Sequence, residues 1–215
     1  MLVSAKWSLE IAADVATRIG ADRPEAARWK TEAKGINLDL CLRTNGTYGT
    51  YEKDDGHPEK VPSQLIGVVM TSLFDTKREK FTRTFDLMRQ SGGIETCSWA
   101  PGYYGISAAR LKRSDEALKA IQDAFLFSKP PWLLFVENTR QVPGRLPYYL
   151  AAHGLFVQAV NELLLQDWSG KVELFPACPF TEAAFKLRGN NRTIEARLRQ
   201  GKIEVLADRK VLTKR

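Results

Sequence analysis

The stretch that decides the fold is Asn161-Glu-Leu-Leu-Leu-Gln-Asp-Trp-Ser-Gly-Lys-Val-Glu-Leu-Phe-Pro-Ala-Cys-Pro179, where the hydrophobic period changes. Upstream, Leu150 to Gln166 reads as a long apolar helix through Phe156, Val160, Leu163 and Leu164. Downstream of Gly170 the apolar residues alternate: Val172/Leu174, Phe185/Leu187, Ile194/Ala196/Leu198 and Ile203/Val205. A period near 3.6 residues marks a helix with one buried face, and a period of two marks a half-buried strand. Pro176, Pro179, Gly189-Asn190-Asn191 and Gly201 punctuate the alternating part as turns. The expected organisation is a helical region over 1–168 and a small antiparallel β-domain over 169–215.

The rest of the chain reads as helices separated by three longer loops. Trp7, Ile11, Val15 and Ile19 recur every four residues, with Ala12 and Ala16 beside them, so 5–19 is expected to be a helix stopped by Gly20. Pro24 starts the next helix, which runs to Lys34. Pro62 opens a third, with Leu65, Ile66, Val69, Met70 and Leu73 facing inward, and Phe81, Phe85 and Met88 mark a fourth. Ser114 is expected to cap a helix by accepting the Ala117 amide, with Leu118, Ile121 and Phe125 as its apolar stripe and Pro130-Pro131 as its stop. The loops are 44–60, 97–104 and 132–149. Helix pairs of this size pack as a bundle, a solenoid or a toroid. No fixed repeat is visible, which argues against a simple array. All three loops mix polar and aromatic side chains. Converging at one end of a helical barrel, they would form the kind of pocket sugars need, with rings for C–H faces and fixed partners for hydroxyls.

Composition excludes several classes. Hydrophobic residues make up 44% and charged residues 27%, a globular mix without an apolar run long enough for a membrane span. The start lacks a basic-then-apolar leader layout, so the chain as given is expected to be cytoplasmic. Cys41, Cys97 and Cys178 are scattered and only His57 and His153 are present, which leaves neither a disulfide scaffold nor a metal or cofactor site in view. No Gly-x-Ser-x-Gly motif supports serine hydrolysis. Residues 186–215 hold ten Lys or Arg against three acids, which accounts for the whole net charge of +7. These cations alternate with apolar residues and no aromatic side chain lies among them, so a solvated face of a small sheet is favoured over nucleic-acid binding.

The order of pieces resembles the six-hairpin glycosidases of glycoside hydrolase families 65 and 95. There a late helix leads through a Gly-x-(Ile/Leu)-x-Leu-x-Pro-Ala-Leu-Pro turn into a C-terminal β-domain, much as Glu162–Gln166 leads into Gly170–Pro179 here. Trp7-Ser-Leu-Glu-Ile-Ala-Ala-Asp is similar to the barrel helix after the general-acid segment of family 65, and Ser63-Gln64 to its Lys-Gln-Ala-Asp segment. Ser98-Trp99 with Ala108-Ala109-Arg110-Leu111 is similar to a barrel helix of both families. The resemblance implies a mainly α fold, a partial (α/α) toroid of hairpins with a small C-terminal antiparallel β-domain. It also implies an inverting glycoside hydrolase, in which one carboxyl group protonates the leaving oxygen and another activates water. The family's general acid would fall upstream of Met1. Ser63 and Ile66 replace the Lys and Asp of Lys-Gln-Ala-Asp, which disfavours phosphorolysis against hydrolysis. Ala151 stands at family 95's late catalytic aspartate, so an α-L-fucosidase site is not implied.

Two carboxylates are the catalytic candidates. Glu52 stands eleven residues before Ser63, the spacing of the family 65 base, in a loop with Asp54 and Asp55, whose charges would raise its pKa. A solvated acidic turn paired with Lys53 or Lys60 is the plain alternative. Glu137 follows the apolar run Trp132–Val136, which would carry it towards a barrel mouth, against the alternative of pairing with Arg140 or Arg145. Trp99, Tyr103, Tyr104, Tyr51, Gln64 and His153 are the substrate-binding candidates, the aromatics as ring platforms and Gln64 and His153 as hydroxyl partners. Aromatics at a loop–helix junction also serve as core anchors, and a lone histidine at a helix start is commonly structural. The expected partners are a carbohydrate and either an upstream half of the barrel or a second copy. The competing classes are a non-catalytic carbohydrate-binding or scaffold protein and a basic nucleic-acid-binding module at 186–215.

Overall fold

A computed structural model describes residues 2–54, 62–69, 71–72, 77–91, 97–130, 134–137, 148–189 and 191–210. The fold is mainly helical with a small antiparallel sheet towards the C-terminus. The chain forms two compact units, 1–91 and 92–215, so the sheet shares a unit with the later helices. Among the described residues no helix is long and apolar enough to cross a membrane.

In the first unit, α1 (Leu2–Ile19) and α2 (Arg23–Gly35) form a hairpin. Pro24 sits in the first turn of α2, where its missing N–H leaves no bond unmade. The contact is built from small residues: Ala13 and Ala16 of α1 against Ala26 of α2, with Trp29 packed on them. The four-residue stripe of Ile11, Val15 and Ile19 is instead largely exposed. A 3-10 turn, Leu38–Cys41, follows, then a tight reversal bridged at Leu42 and Tyr48, with Gly46 at φ 78°. Pro62 precedes a 3-10 turn, Ser63–Leu65, that continues as the short α3 (Ile66–Val69), while Met70 and Leu73 lie outside the described residues. Helix α4 (Arg78–Gln90) buries Phe81, Phe85 and Met88 as the periodicity requires.

In the second unit, α5 (Ala100–Arg110) is buried along almost its whole length. The expected loop at 97–104 is corrected here. Pro101 lies in the first helical turn, a position proline tolerates, so Tyr103 and Tyr104 are helical. Gly102 is required by packing, because a Cβ there would stand 2.5 Å from Leu155 Cβ of α7 (Leu150–Leu164). Helix α6 (Ser114–Asp123) begins one residue earlier than a Ser114 cap would place it, and the Ala117 amide donates to the Arg113 carbonyl instead. A 3-10 turn, Ala124–Phe127, leads into β1 (Ser128–Lys129), paired antiparallel with β2 (Leu134–Phe135). Phe125 is half exposed, its ring edge-on to Phe135 and Phe156.

Helix α7 stops at Leu164, and Leu165–Gln166 turn extended as β3, paired with β4 (Glu173–Leu174) across a bend that uses Gly170 at φ 81°. The sheet that follows is a meander of β5 (Glu182–Gly189), β6 (Arg192–Arg199) and β7 (Lys202–Lys210). Gln200 and Gly201 close the β6–β7 hairpin with both φ positive, the geometry a two-residue turn needs to match strand twist. Phe185, Ile194, Ala196 and Leu198 line the inner face against Leu165 and Phe175.

A buried polar cluster ties the end of α5 to the end of α7. Arg110 Nη2 donates to Glu162 Oε1 at 2.7 Å, with the two side chains only 5% and 4% exposed. Gln158 donates to the same oxygen at 2.9 Å, Gln166 donates to the Ala109 carbonyl at 3.0 Å, and Trp168 donates to Gln166 at 3.1 Å. The Arg110 guanidinium also lies 4.9 Å over the Trp168 ring. Removing one member of such a pair leaves a desolvated charge, whereas replacing both with apolar groups removes that penalty. Glu162→Ala is expected to lower unfolding stability by about 3–5 kcal/mol, and Arg110→Met with Glu162→Leu to recover most of it. Urea denaturation midpoints of the three proteins check this.

Candidate functional site

In the second unit three partly exposed aromatic residues, Trp99, Tyr103 and Tyr149, lie near the segment that ends at Glu137. The extended segment ending at Glu137 is held from several sides. Val136 N–H donates to the Phe127 carbonyl at 3.0 Å, Tyr149 N–H to the Phe135 carbonyl at 2.9 Å, and Ser98 N–H to the Glu137 carbonyl at 2.9 Å. These bonds hold Ser98, next to Trp99, and Tyr149 along the segment that ends at Glu137. Tyr103 lies one helical turn beyond Trp99, the rings 5.3 Å apart and 69° inclined. Trp99 and Tyr149 pack partly against Ala124, Phe135 and Ala152, leaving ring surface uncovered.

The electrostatics report the same proximity. Burial pushes the Tyr149 hydroxyl above its ordinary pKa, and the nearby Glu137 carboxylate and Cys97 push it further. Tyr103 is raised by burial first, then by Cys97 and Tyr149. Both phenols therefore stay protonated and able to donate across the neutral range. The arrangement offers partly uncovered rings, phenolic donors and one carboxylate acceptor. Such an arrangement can pack an apolar C–H face on a ring and hold a hydroxyl on a fixed polar atom.

Two candidates of this unit are removed by their surroundings. Tyr104 is 1% exposed and has no ring face to offer. His153 Nε2 accepts from the Phe135 N–H at 3.3 Å, which places the ring proton on Nδ1, where it meets the Tyr149 carbonyl at 3.0 Å. With both nitrogens bonded to backbone and its ring 4.7 Å from that of Phe135, His153 braces the segment and has no atom left for a sugar. Arg140 and Arg145, the expected alternative partners of Glu137, lie outside the described residues.

The first unit holds Glu52, Tyr51 and Gln64. Glu52 and Tyr51 stand exposed in a turn where Lys53 adopts φ 61°. Asp54, expected to act on Glu52, is buried instead and accepts from Arg43 Nη2 at 2.8 Å and Thr50 N–H at 2.7 Å. Asp55 and Lys60 lie outside the described residues. Gln64 is 7% exposed and donates to Thr50 Oγ1 at 2.8 Å, while its Oε1 has no hydrogen-bond partner among the described residues. It lines a cavity of about 170 Å³ with Thr50, Tyr48, Cys41, Ser63 and Phe81. No carboxylate lines it among the described residues.

Sequence reasoning did not join Tyr149 to Glu137 or Thr50 to Gln64, and it missed the buried pair of Arg43 and Asp54. The Asn45-Gly46 turn is the signal that could have brought Arg43 back towards Asp54, since it reverses the chain between them. Among the described residues no group of three or more His, Cys, Asp or Glu could hold a metal ion. No family model matches the chain, and no curated protein matches it.

Because Glu137 opposes tyrosinate formation, Glu137→Gln is expected to bring the Tyr149 pKa down towards its ordinary value of 10.0 and to leave burial as the main remaining cause of its shift. A raised phenol pKa contributes stability that is present below pH 10 and lost as pH rises through the folded-state value. Wild type should therefore lose more stability than Glu137→Gln on alkaline titration, and tyrosine-ring carbon shifts followed by NMR read both effects.

Proposed function

We propose that the chain is part of a glycoside hydrolase of the helical-hairpin type, acting on α-glycosides or related sugars with inversion. The observation that carries this reading is that Glu137 lies near Tyr149 and is bonded through its backbone to Ser98, beside the Trp99–Tyr103 ring pair. A partly desolvated carboxylate beside ring faces suits activation of a water against a sugar carbon held on those faces. Glu137 takes the part of water-activating base. Glu52, exposed in its turn, fits that part less well. Gln64, with an unused acceptor in a cavity wall, suits a sugar hydroxyl. Helical hairpins followed by a turn into an antiparallel sheet support the (α/α) toroid with its β-domain. The reaction needs water and carboxyl groups and no cofactor.

A second reading has its own support. The aromatic cluster holds one carboxylate among the described residues, and one carboxylate binds a sugar without hydrolysing it. A non-catalytic carbohydrate-binding protein is the form this takes.

Incubation of the whole protein of which this chain is proposed to be part with a panel of α-linked disaccharides, read by NMR of the released anomer and by calorimetry, separates the two. The hydrolase reading expects initial release of the β-anomer, with Glu137→Gln losing about 10²–10⁴-fold in turnover while binding is kept. Trp99→Ala should weaken binding by about three- to tenfold. Binding without turnover selects the second reading. Absence of binding overturns both, and full turnover in Glu137→Gln with loss in Glu52→Gln returns the base to Glu52.

A further inference from the structure

We infer that the outward face of the β5–β6–β7 sheet is a docking surface for an acidic polysaccharide, recognised by charge and not by stacking. Alternate residues of a strand share a face, and the register lines them up across the sheet. Phe185, Ile194, Ala196 and Leu198 point inward to the core, so their sequence neighbours point out. At one end Arg188, Thr193 and Arg209 form a row with no acid in it. At the other end Arg199 lies between Lys202 and Glu182, and Arg197, one row in, stands opposite Glu204.

The balance of paired and unpaired charge decides the sign of the surface. Lys186 and Glu195 close on each other at 3.3 Å and cancel. On the opposite face Arg192 and Asp208 do the same at 2.8 Å. Arg188, Arg197, Arg199, Lys202 and Arg209 make no ion pair among the described residues, and of the acids on this face only Glu182 and Glu204 are likewise unpaired. Five cations against two acids leave this face a net excess of three positive charges, and all of the cations but Arg197 are exposed. Such cations gain from releasing counter-ions held by a polyanion.

Two features choose among polyanions. The aromatic side chain of this sheet, Phe185, is buried on the inner face, so nothing outward can stack on a base or on a neutral sugar ring. The unpaired cations are sparse: successive outward residues of a strand are about 6.8 Å apart, and the acids Glu182, Glu195 and Glu204 are interspersed. Duplex DNA presents a charge for every 1.7 Å or so of its axis, far denser than the cations of this face can match. A polysaccharide with a carboxylate or sulfate on each ring matches the wider spacing. This inference does not depend on the hydrolase reading.

The test uses the full chain and polygalacturonate, with affinity followed by fluorescence anisotropy between about 50 and 200 mM salt. One variant carries Arg188→Gln, Arg197→Gln, Arg199→Gln, Lys202→Gln and Arg209→Gln. A control carries Arg18→Gln, Arg23→Gln, Arg28→Gln, Lys30→Gln and Lys34→Gln on α1 and α2, so each lowers the net charge of +7 by five. The sheet variant should bind at least about tenfold more weakly, with a salt slope shallower by about one for each lost contact, while the control stays near wild type. A third variant with lysine at the four arginine positions should keep binding, which guards against a folding defect in the first. Equal loss in the control, equal competition by neutral dextran, or tighter binding of a short duplex DNA than of polygalacturonate overturns the proposal.

Discussion

The aromatic–carboxylate site rests on hydrogen bonding to one short extended segment, Leu134–Glu137. A pair of residues in a two-stranded ribbon cannot satisfy its backbone from the ribbon alone, and unpaired buried N–H and C=O groups are costly. Here the deficit is met from three other elements. The Ala124–Phe127 turn supplies a carbonyl to Val136, the start of α7 supplies the Tyr149 N–H and the His153 ring to Phe135, and the lead-in to α5 supplies the Ser98 N–H to Glu137. Each bond fixes an element beside the segment, which is why Trp99 and Tyr149 come near Glu137 although they are separated in sequence. His153 belongs to this frame, and its tautomer follows from the frame.

Buried charge plays the corresponding part elsewhere. In the first unit Arg43 and Asp54 are almost wholly withdrawn from solvent, and the Asp54 carboxylate also holds the Thr50 N–H. Gly49 has no room for a side chain, since a Cβ there would stand 2.7 Å from Asp54. That pair sets Thr50, and Thr50 sets the Gln64 amide on the cavity wall. In the second unit Arg110 and Glu162 orient the end of α7, from which the chain enters the sheet. In both places a desolvated ion pair is worth little as net stability but strongly penalises any arrangement that separates the partners.

What could be read in the sequence follows from the range of the interactions involved. The strands of the meander were legible because their alternation and their turn residues are local, and α2 and α4 were legible from Pro24 and from the Phe81, Phe85 and Met88 spacing. The start of α5 was not, because Pro101-Gly102 has the composition of a loop, while the need for glycine there comes from Leu155 of another helix. Glu162 gave no local sign of its role, because its partner Arg110 lies 52 residues away. The apolar spacing of Ile11, Val15 and Ile19 identified a helix but not its buried side, since the close contact with α2 runs through alanines. Of the candidate site residues, Trp99, Tyr103 and Glu137 were recognisable by type. Their meeting with Tyr149 is a property of tertiary backbone hydrogen bonds.

The most direct measurement of the central claim, that Trp99, Tyr103 and Tyr149 seat a saccharide against Glu137, is an NMR titration of the tryptophan indole N–H signals with an α-linked disaccharide. The account predicts that the Trp99 indole shifts together with the Tyr103 and Tyr149 ring resonances, saturating on one curve, while Trp7 and Trp168 stay in place. A curve in which the Trp99 signal is unmoved at saturation, or in which Trp7 and Trp168 move alone, would contradict it.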